Sequence, residues 1–391
     1  MLRFARIDRK SAVSVCLMMI YCLAATNVFA QGVGNTSIGG YGNAVYARDI
    51  QSKFSTIDLE RFVLFVGHEF SKKVSLVSEL EMEDAKVSGG EAGGEIAFEQ
   101  AYIQFRLDGG HYFVAGLFLP RIGILNEDHL PTSFNGNERT DVETLIIPST
   151  WRELGVGFYG SNDIVPVDYS IAIVNGLNAS GFEHGSLIRE GRFEGRNASA
   201  NNIALTGSVQ YAVNSLRFQV SGYYGGSVGL RPSDADSLHL QGGPFGTPVA
   251  VGEADIRYSA GPLALRVLGT LVSIPDAEAI NNAYGNNTPL SAYGAYAETA
   301  YDFLYVNGAA RNESLTAFVR YERLNLNASL PSNGIPDGAL NVHHVIAGLG
   351  YSPLENIVFK GDVRFTWRAS RSESPDGTGN TTLTLGLGFS F

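Results

Sequence analysis

Apolar and polar positions alternate with a period of two over most of this chain, and the plainest case is its end. Leu383, Leu385, Leu387, Phe389 and Phe391 alternate with Thr384, Gly386, Gly388 and Ser390. That spacing predicts a β-strand with one apolar face and one small or polar face. The last residues of a soluble domain usually fray, so an apolar strand in that position needs a partner. In a closed membrane barrel it has one: it pairs with the first strand, removes the free edge and turns its apolar face to lipid.

Sixteen such segments are predicted, over residues 38–47, 56–70, 74–84, 95–107, 112–119, 151–160, 167–174, 203–213, 216–225, 251–259, 263–272, 292–301, 315–324, 342–351, 357–368 and 381–391. Their connections have a rhythm. Short turns centre on Ser71, Gly109, Asp163, Asn214, Gly261 and Pro353, with a medium one around Gly308. Between them come long connections over 86–94, 121–150, 175–202, 226–250, 273–290, 325–341 and 369–380. Alternation of short and long connections is the pattern of an up-and-down transmembrane antiparallel barrel, with short periplasmic turns and long extracellular loops. The expected fold is therefore all-β, a single barrel domain of about 16 strands over residues 31–391, with both ends on the periplasmic side.

Alternation also assigns the faces. Ile357, Phe359, Val363, Phe365 and Trp367 are expected outward, and Lys360, Asp362, Arg364 and Arg368 inward. Leu76, Leu80 and Met82 point out where Glu79, Glu81 and Glu83 point in. By the same rule Gln104 and Arg106, Glu253, Asp255 and Arg257, and Arg320 with Glu322 line the interior. A charge at mid-depth on a lipid face costs about 2–4 kcal/mol, so the charges set the phase. A lumen this polar, inside so many strands, is wide enough for an aqueous channel.

Composition sharpens the picture. The chain has 391 residues, 17% of them charged, with 46 Gly and 18 Tyr, which suits tight turns and interfacial aromatic girdles. A formal charge of -11 argues against nucleic acid as a partner. Arg3, Arg6, Arg9 and Lys10, the apolar run 11–25 and Val28-Phe29-Ala30 read as a cleaved secretory signal over residues 1–30. Both cysteines, Cys16 and Cys22, fall inside it, so no disulfide is expected in the mature chain. These features point to a bacterial outer membrane.

The longest connection, 121–150, carries more apolar residues than a solvated loop needs: Ile122, Ile124, Leu125, Leu145, Ile146 and Ile147. One reading is that it folds inward as the third extracellular loop and narrows the lumen, bringing Arg121, Glu127, Asp128, Arg139, Asp141 and Glu143 to a constriction. The other is that it packs on neighbouring loops or a partner subunit. With the inward wall positions Arg106, Arg257, Arg320, Lys360, Arg364 and Arg368, these are the candidate pore-lining residues.

Three runs then carry a family resemblance. They are Phe98-Glu99-Gln100-Ala101-Tyr102-Ile103-Gln104-Phe105, Ala115-Gly116-Leu117-Phe118-Leu119-Pro120-Arg121-Ile122-Gly123, and Ile147-Pro148-Ser149-Thr150-Trp151-Arg152-Glu153-Leu154-Gly155-Val156-Gly157. Together they resemble the phosphate-selective porin O and P family, best between about residues 95 and 160. The resemblance implies a sixteen-stranded, trimeric outer-membrane porin with an inward loop. Family members that take phosphate use an arginine ladder and a lysine cluster. The 121–150 segment departs from this, with two arginines, no lysine and five acids, Glu127, Asp128, Glu138, Asp141 and Glu143. The inward arginines either form a basic track or pair with inward acids, as in a general porin.

Other constellations are weak. His343 and His344 are adjacent and point to opposite faces of a strand. His129 beside Glu127 and Asp128 is a thin cation motif, and no metal or cofactor is expected. No Gly-x-Ser-x-Gly elbow supports an enzyme. The leading expectation is passive diffusion of small hydrophilic solutes or inorganic ions, with anions or phosphate among them. The rivals are a binding or adhesion barrel with a closed lumen and an outer-membrane hydrolase.

Overall fold

The computed structural model describes residues 35–85, 94–162, 165–306, 312–369 and 379–391. The expected signal segment, most of the first and last long connections, and the turns around Asp163 and Gly308 lie outside the described residues. Sixteen strands form. They are β1 (Thr36–Asp49), β2 (Ser55–Ser71), β3 (Val74–Glu83), β4 (Ile96–Arg106), β5 (Tyr112–Phe118), β6 (Glu153–Asn162), β7 (Val167–Asn175) and β8 (Ile203–Val213). Then come β9 (Leu216–Gly225), β10 (Val249–Ala260), β11 (Leu263–Ser273), β12 (Ser291–Asp302), β13 (Ser314–Ser329), β14 (Asn341–Leu354), β15 (Ile357–Arg368) and β16 (Asn380–Ser390).

Every strand pairs antiparallel with its neighbours in sequence, and β16 pairs with β1 to close the barrel. Closure reaches the last residue: Phe391 N donates to Gly40 O at 2.8 Å, and Gly40 N donates to Phe391 O at 2.9 Å. Among the described residues the sheet has no free edge strand for lipid or another chain to satisfy.

Burial follows the alternation, with the sense of a soluble protein reversed. On β15, Phe359, Phe365 and Trp367 are exposed while Lys360, Asp362 and Thr366 are buried. On β9, Phe218 and Val220 are exposed while Gln219 and Ser221 are buried. Large apolar side chains on the outside and polar ones inside are what a bilayer requires of a barrel. Among the described residues no helix is long and apolar enough to cross a membrane.

Two differences from the sequence reading have local causes. β13 runs to Ser329, beyond the expected end at 324, and its register against β12 slips between Ser291 and Tyr293. Asn325 and Asn327 read as loop residues in the sequence, yet strand pairing continues past them. β6 begins at Glu153 because Trp151 turns into the interior, fully buried against Tyr223, and its Nε1 donates to Glu153 Oε1 at 2.7 Å.

At the long-loop end the connections build a core of their own. Phe182, Leu187 and Ile188 from the β7–β8 connection pack in one cluster with Val228 and Leu240 after β9. The cluster also takes in Ile274 and Ile280, which lead into and sit on the helix α1 (Ala277–Tyr284). Ile122, Ile124, Val142, Ile146 and Ile147 belong to the same cluster, so the 119–152 segment is rooted in it.

Candidate functional site

The segment leaving β5 is a folded unit before it touches the wall. Glu143 joins its two limbs: Ile124 N and Leu125 N donate to Oε1 at 2.6 and 2.8 Å. Asn126 Nδ2 donates to Ile122 O, and Trp151 N donates to Asn126 Oδ1 at 3.0 Å. The one-turn π-helix Val142–Ile146 buries Val142 and Ile146 beside β12, where Tyr296 OH donates to Glu143 Oε2 at 2.8 Å. The apolar residues that looked excessive for a solvated loop are thus the core of a compact insert.

The insert meets the wall through inward positions of β8 to β16. Arg257 on β10 donates to Glu127 Oε2, and Gln210 on β8 approaches the same carboxylate at 3.4 Å. Arg266 donates to Ser133 O, and Arg320 donates to Asn135 O at 2.6 Å. Lys360 Nζ donates to Phe134 O and Gly136 O, both at 2.8 Å, and sits 4.0 Å from the Phe134 ring centroid. Asn137 N and Nδ2 donate to Asp362 Oδ2 at 2.9 and 2.8 Å, and Nδ2 also reaches Thr384 Oγ1. These partners are spread over many strands and all sit at inward positions of the wall.

The last strand explains part of this fit. A Cβ on Gly386 would overlap Asn137 Oδ1, and one on Gly388 would lie 2.8 Å from Pro131 Cβ. Glycines that alternate with leucines in the sequence are where the insert presses on the wall.

The inward arginines are paired. Arg257 contacts Asp255 at 2.8 Å as well as Glu127. Arg320 lies 2.7 Å from Glu298 and 3.3 Å from Glu322, with all three side chains buried. Arg364 holds Glu138 at 2.8 Å and Asp141 at 3.2 Å. His344 Nε2 is 2.9 Å from Asp141 Oδ2, and His343, on the outer face, meets Tyr321 OH. Arg121 Nη2 donates to Tyr112 OH at 3.0 Å, and its guanidinium lies 4.9 Å from the Tyr159 ring centroid. Arg139 is half-buried and donates to the His129 carbonyl at 3.5 Å, and Asp128 is half-buried too.

Two predicted positions lie elsewhere. Arg106 is at the short-turn end, paired with Glu69 at 3.2 Å. Arg368 ends β15 at the long-loop end and is exposed. The sequence grouping of His129 with Glu127 and Asp128 also divides. Glu127 goes to Arg257, and His129 turns to Glu79 and Glu99, with its ring edge-on to Tyr41.

Glu99 escaped strict alternation for a physical reason. Glu79 pairs with Gln100 and Leu80 with Phe98, so Glu99 is the extra residue of a β-bulge. The bulge switches the phase of β4, leaving Phe98 exposed and Glu99 fully buried. An acidic residue at an outward phase was the available signal.

Burial and pairing compete in the insert's charges. Burial raises the Glu127 carboxyl, but Arg257 and Arg121 outweigh it and hold it at about 2. Burial likewise works against ionised Asp141, and the His344 hydrogen bond and Arg364 bring it to about 2. Glu143 is pushed up by burial despite its donors. Burial, then Arg61, draws Arg139 down to about 10.

The root of the insert also packs on a neighbouring loop. Arg189 donates to Thr144 O at 2.9 Å, and Arg192 contacts Pro148 O. Glu194 bridges Arg152 at 3.0 Å and Arg192 at 2.8 Å. The connection thus packs on a neighbouring loop as well as against inward wall residues.

No protein-family model matches the sequence. The chain is 29% identical over 352 residues to an uncharacterized protein of Aquifex aeolicus, covering 87% of this chain and 77% of that protein. Among solved structures it is similar to Salmonella typhi OmpF in complex with daunomycin, at a TM-score of 0.60 and 10% identity over 91% of this chain and 97% of that one. Pseudomonas putida OprB at high pH gives a TM-score of 0.55 at 10% identity, over 91% of this chain and 94% of that one. A trimer form of OmpT, an outer-membrane protein of Vibrio cholerae, gives 0.50 at 11% identity, over 91% of this chain and 99% of that one. At these identities the likeness is one of fold: the chain shares the closed antiparallel barrel of these structures.

Proposed function

We propose that the protein is an outer-membrane porin through which small hydrophilic solutes and inorganic ions diffuse passively. The observation that carries this reading is the set of bonds from residues 119–152 to inward wall residues, by which we read the insert as folded into the lumen. Such an insert turns a wide polar barrel into a size- and charge-selective passage. The exposed apolar belt and the fold shared with OmpF and OprB support placement in the outer membrane. The OmpT trimer form supports a homotrimer. No reaction, cofactor or energy source enters this account.

Phosphate selectivity is not part of the proposal. Arg257, Arg320 and Arg364 each face two carboxylates, which leaves little of their charge for an anion. Residues 121–150 hold five acids against two arginines, so a mild preference for cations is the expected balance.

The many bonds between insert and wall favour one alternative, a barrel with a closed lumen whose long loops bind a partner. Liposome swelling separates the two. A porin gives swelling rates that fall steeply as neutral sugars grow from arabinose to a disaccharide. A closed barrel gives the rate of empty liposomes for every sugar.

A further inference from the structure

Glu79, Glu99 and His129 reach one point of the lumen from three separate elements. Glu79 stands on β3, Glu99 is the bulge residue of β4, and His129 is carried by the insert. His129 Nε2 lies 3.6 Å from Glu99 Oε1 and 3.9 Å from Glu79 Oε2. The ring nitrogen and one oxygen of each carboxylate all lie within 4.8 Å of one another. Donors about 2.0–2.2 Å from a tetrahedral ion stand about 3.3–3.6 Å apart, so closing this triad takes small movements only.

A second observation points to a ligand. Glu99 is fully buried, and its Oε1 has no hydrogen-bond partner among the described residues. Its other oxygen accepts from Tyr41 OH at 2.9 Å. A buried carboxylate oxygen aimed at an imidazole with no donor on it lacks the partner that such groups normally have. The supporting contacts are those that orient metal ligands: Tyr41 holds Glu99, and Gln100 Nε2 donates to Glu79 Oε2 at 3.0 Å. Two cations lie nearby and favour ionised Glu99 by charge alone: Arg61, 3.7 Å from Glu81, and Arg139.

We infer that Glu79, Glu99 and His129 form a binding site for one divalent transition-metal ion of the zinc class, fastening the insert to β3 and β4. One imidazole and two carboxylates make the mixed nitrogen and oxygen set that such ions take, whereas calcium takes six to eight oxygens. The inference does not depend on whether the lumen conducts.

The test uses the purified full-length protein in detergent, stripped with a chelator and titrated with Zn²⁺ against a chromophoric competitor. A parallel titration with Co²⁺ reads the coordination from its visible absorption. The expected result is one equivalent bound per chain, tetrahedral Co²⁺ bands, and a higher Tm with zinc. Glu79→Gln and His129→Gln abolish the stoichiometric step, Gln100→Ala weakens it by about 10–100-fold, and His343→Gln on the outer face leaves it intact. Far-UV circular dichroism identifies variants that keep the barrel, and the three site variants are independent readings. Absence of a stoichiometric step in the wild type overturns the inference. So does a step that survives unchanged in folded Glu79→Gln and His129→Gln.

Discussion

Asn137 in the insert and Gly386 in the last strand are in such close contact that any side chain on Gly386 would overlap Asn137 Oδ1. Gly386→Ala is therefore expected to push the insert off β16 and break the bonds of Asn137 to Asp362 and Thr384. Overpacking of this kind costs about 1–3 kcal/mol. The check is a lower Tm together with new protease cleavage between residues 126 and 140 in a barrel that otherwise stays folded.

Arg257 lies between Asp255 and Glu127 with its side chain 14% exposed. Glu127→Gln leaves the Arg257–Asp255 pair, so a modest loss of stability is expected. Arg257→Met strands fully buried Asp255 and leaves Glu127 to Arg121, and an uncompensated buried charge costs about 3–5 kcal/mol. Urea-driven unfolding of the two variants should rank Arg257→Met as clearly the less stable. Equal losses would mean that the triad is not coupled.

Asp141 supplies a pH dependence. Its carboxyl is held at about 2 in the folded state, against an ordinary value of 3.8. Because the folded value is depressed, the stabilisation is present above about pH 4 and is lost as the pH falls toward 2. Asp141→Asn should flatten stability against pH in that window. Thermal unfolding measured at half-unit steps from pH 2 to 7 tests this. An unchanged profile in the variant would remove Asp141 from the account.

Gly116 on β5 has φ +135°, and an added Cβ would lie 2.5 Å from Ala101 O and 2.8 Å from Tyr102 Cα on β4. Gly116→Ala meets backbone on the facing strand as well as a strained φ, which costs about 1–3 kcal/mol. Slower refolding and a lower Tm are expected, whereas Gly252→Ala, with open space around its Cβ, should behave as wild type.

How much of this was legible follows from the range of the interactions. Period-two alternation is local, so facing could be read within residues 357–368 or 383–391 alone, and strand count from the alternation of short and long connections along the chain. That residues 121–150 pack rather than lie in water was legible too, through Ile122, Ile124 and Ile146, which join the buried cluster. The insert's seating was not, because it rests on pairs such as Asn137 with Asp362, 225 residues apart. Glu99 was hidden by a single extra residue that reverses the phase of β4. Glu127 and His129, neighbours in sequence, separate because each finds a better-matched charge on a different strand.

Single-channel conductance and reversal potential of the purified protein in a planar bilayer, under a salt gradient with and without phosphate, test the central claim most directly. The account predicts discrete open steps, a mild cation preference, no block by phosphate, and larger steps when Lys360→Ala releases Phe134 and Gly136. An absence of steps in both wild type and Lys360→Ala would contradict it. Chloride-selective steps blocked by phosphate would contradict the paired reading of Arg257, Arg320 and Arg364.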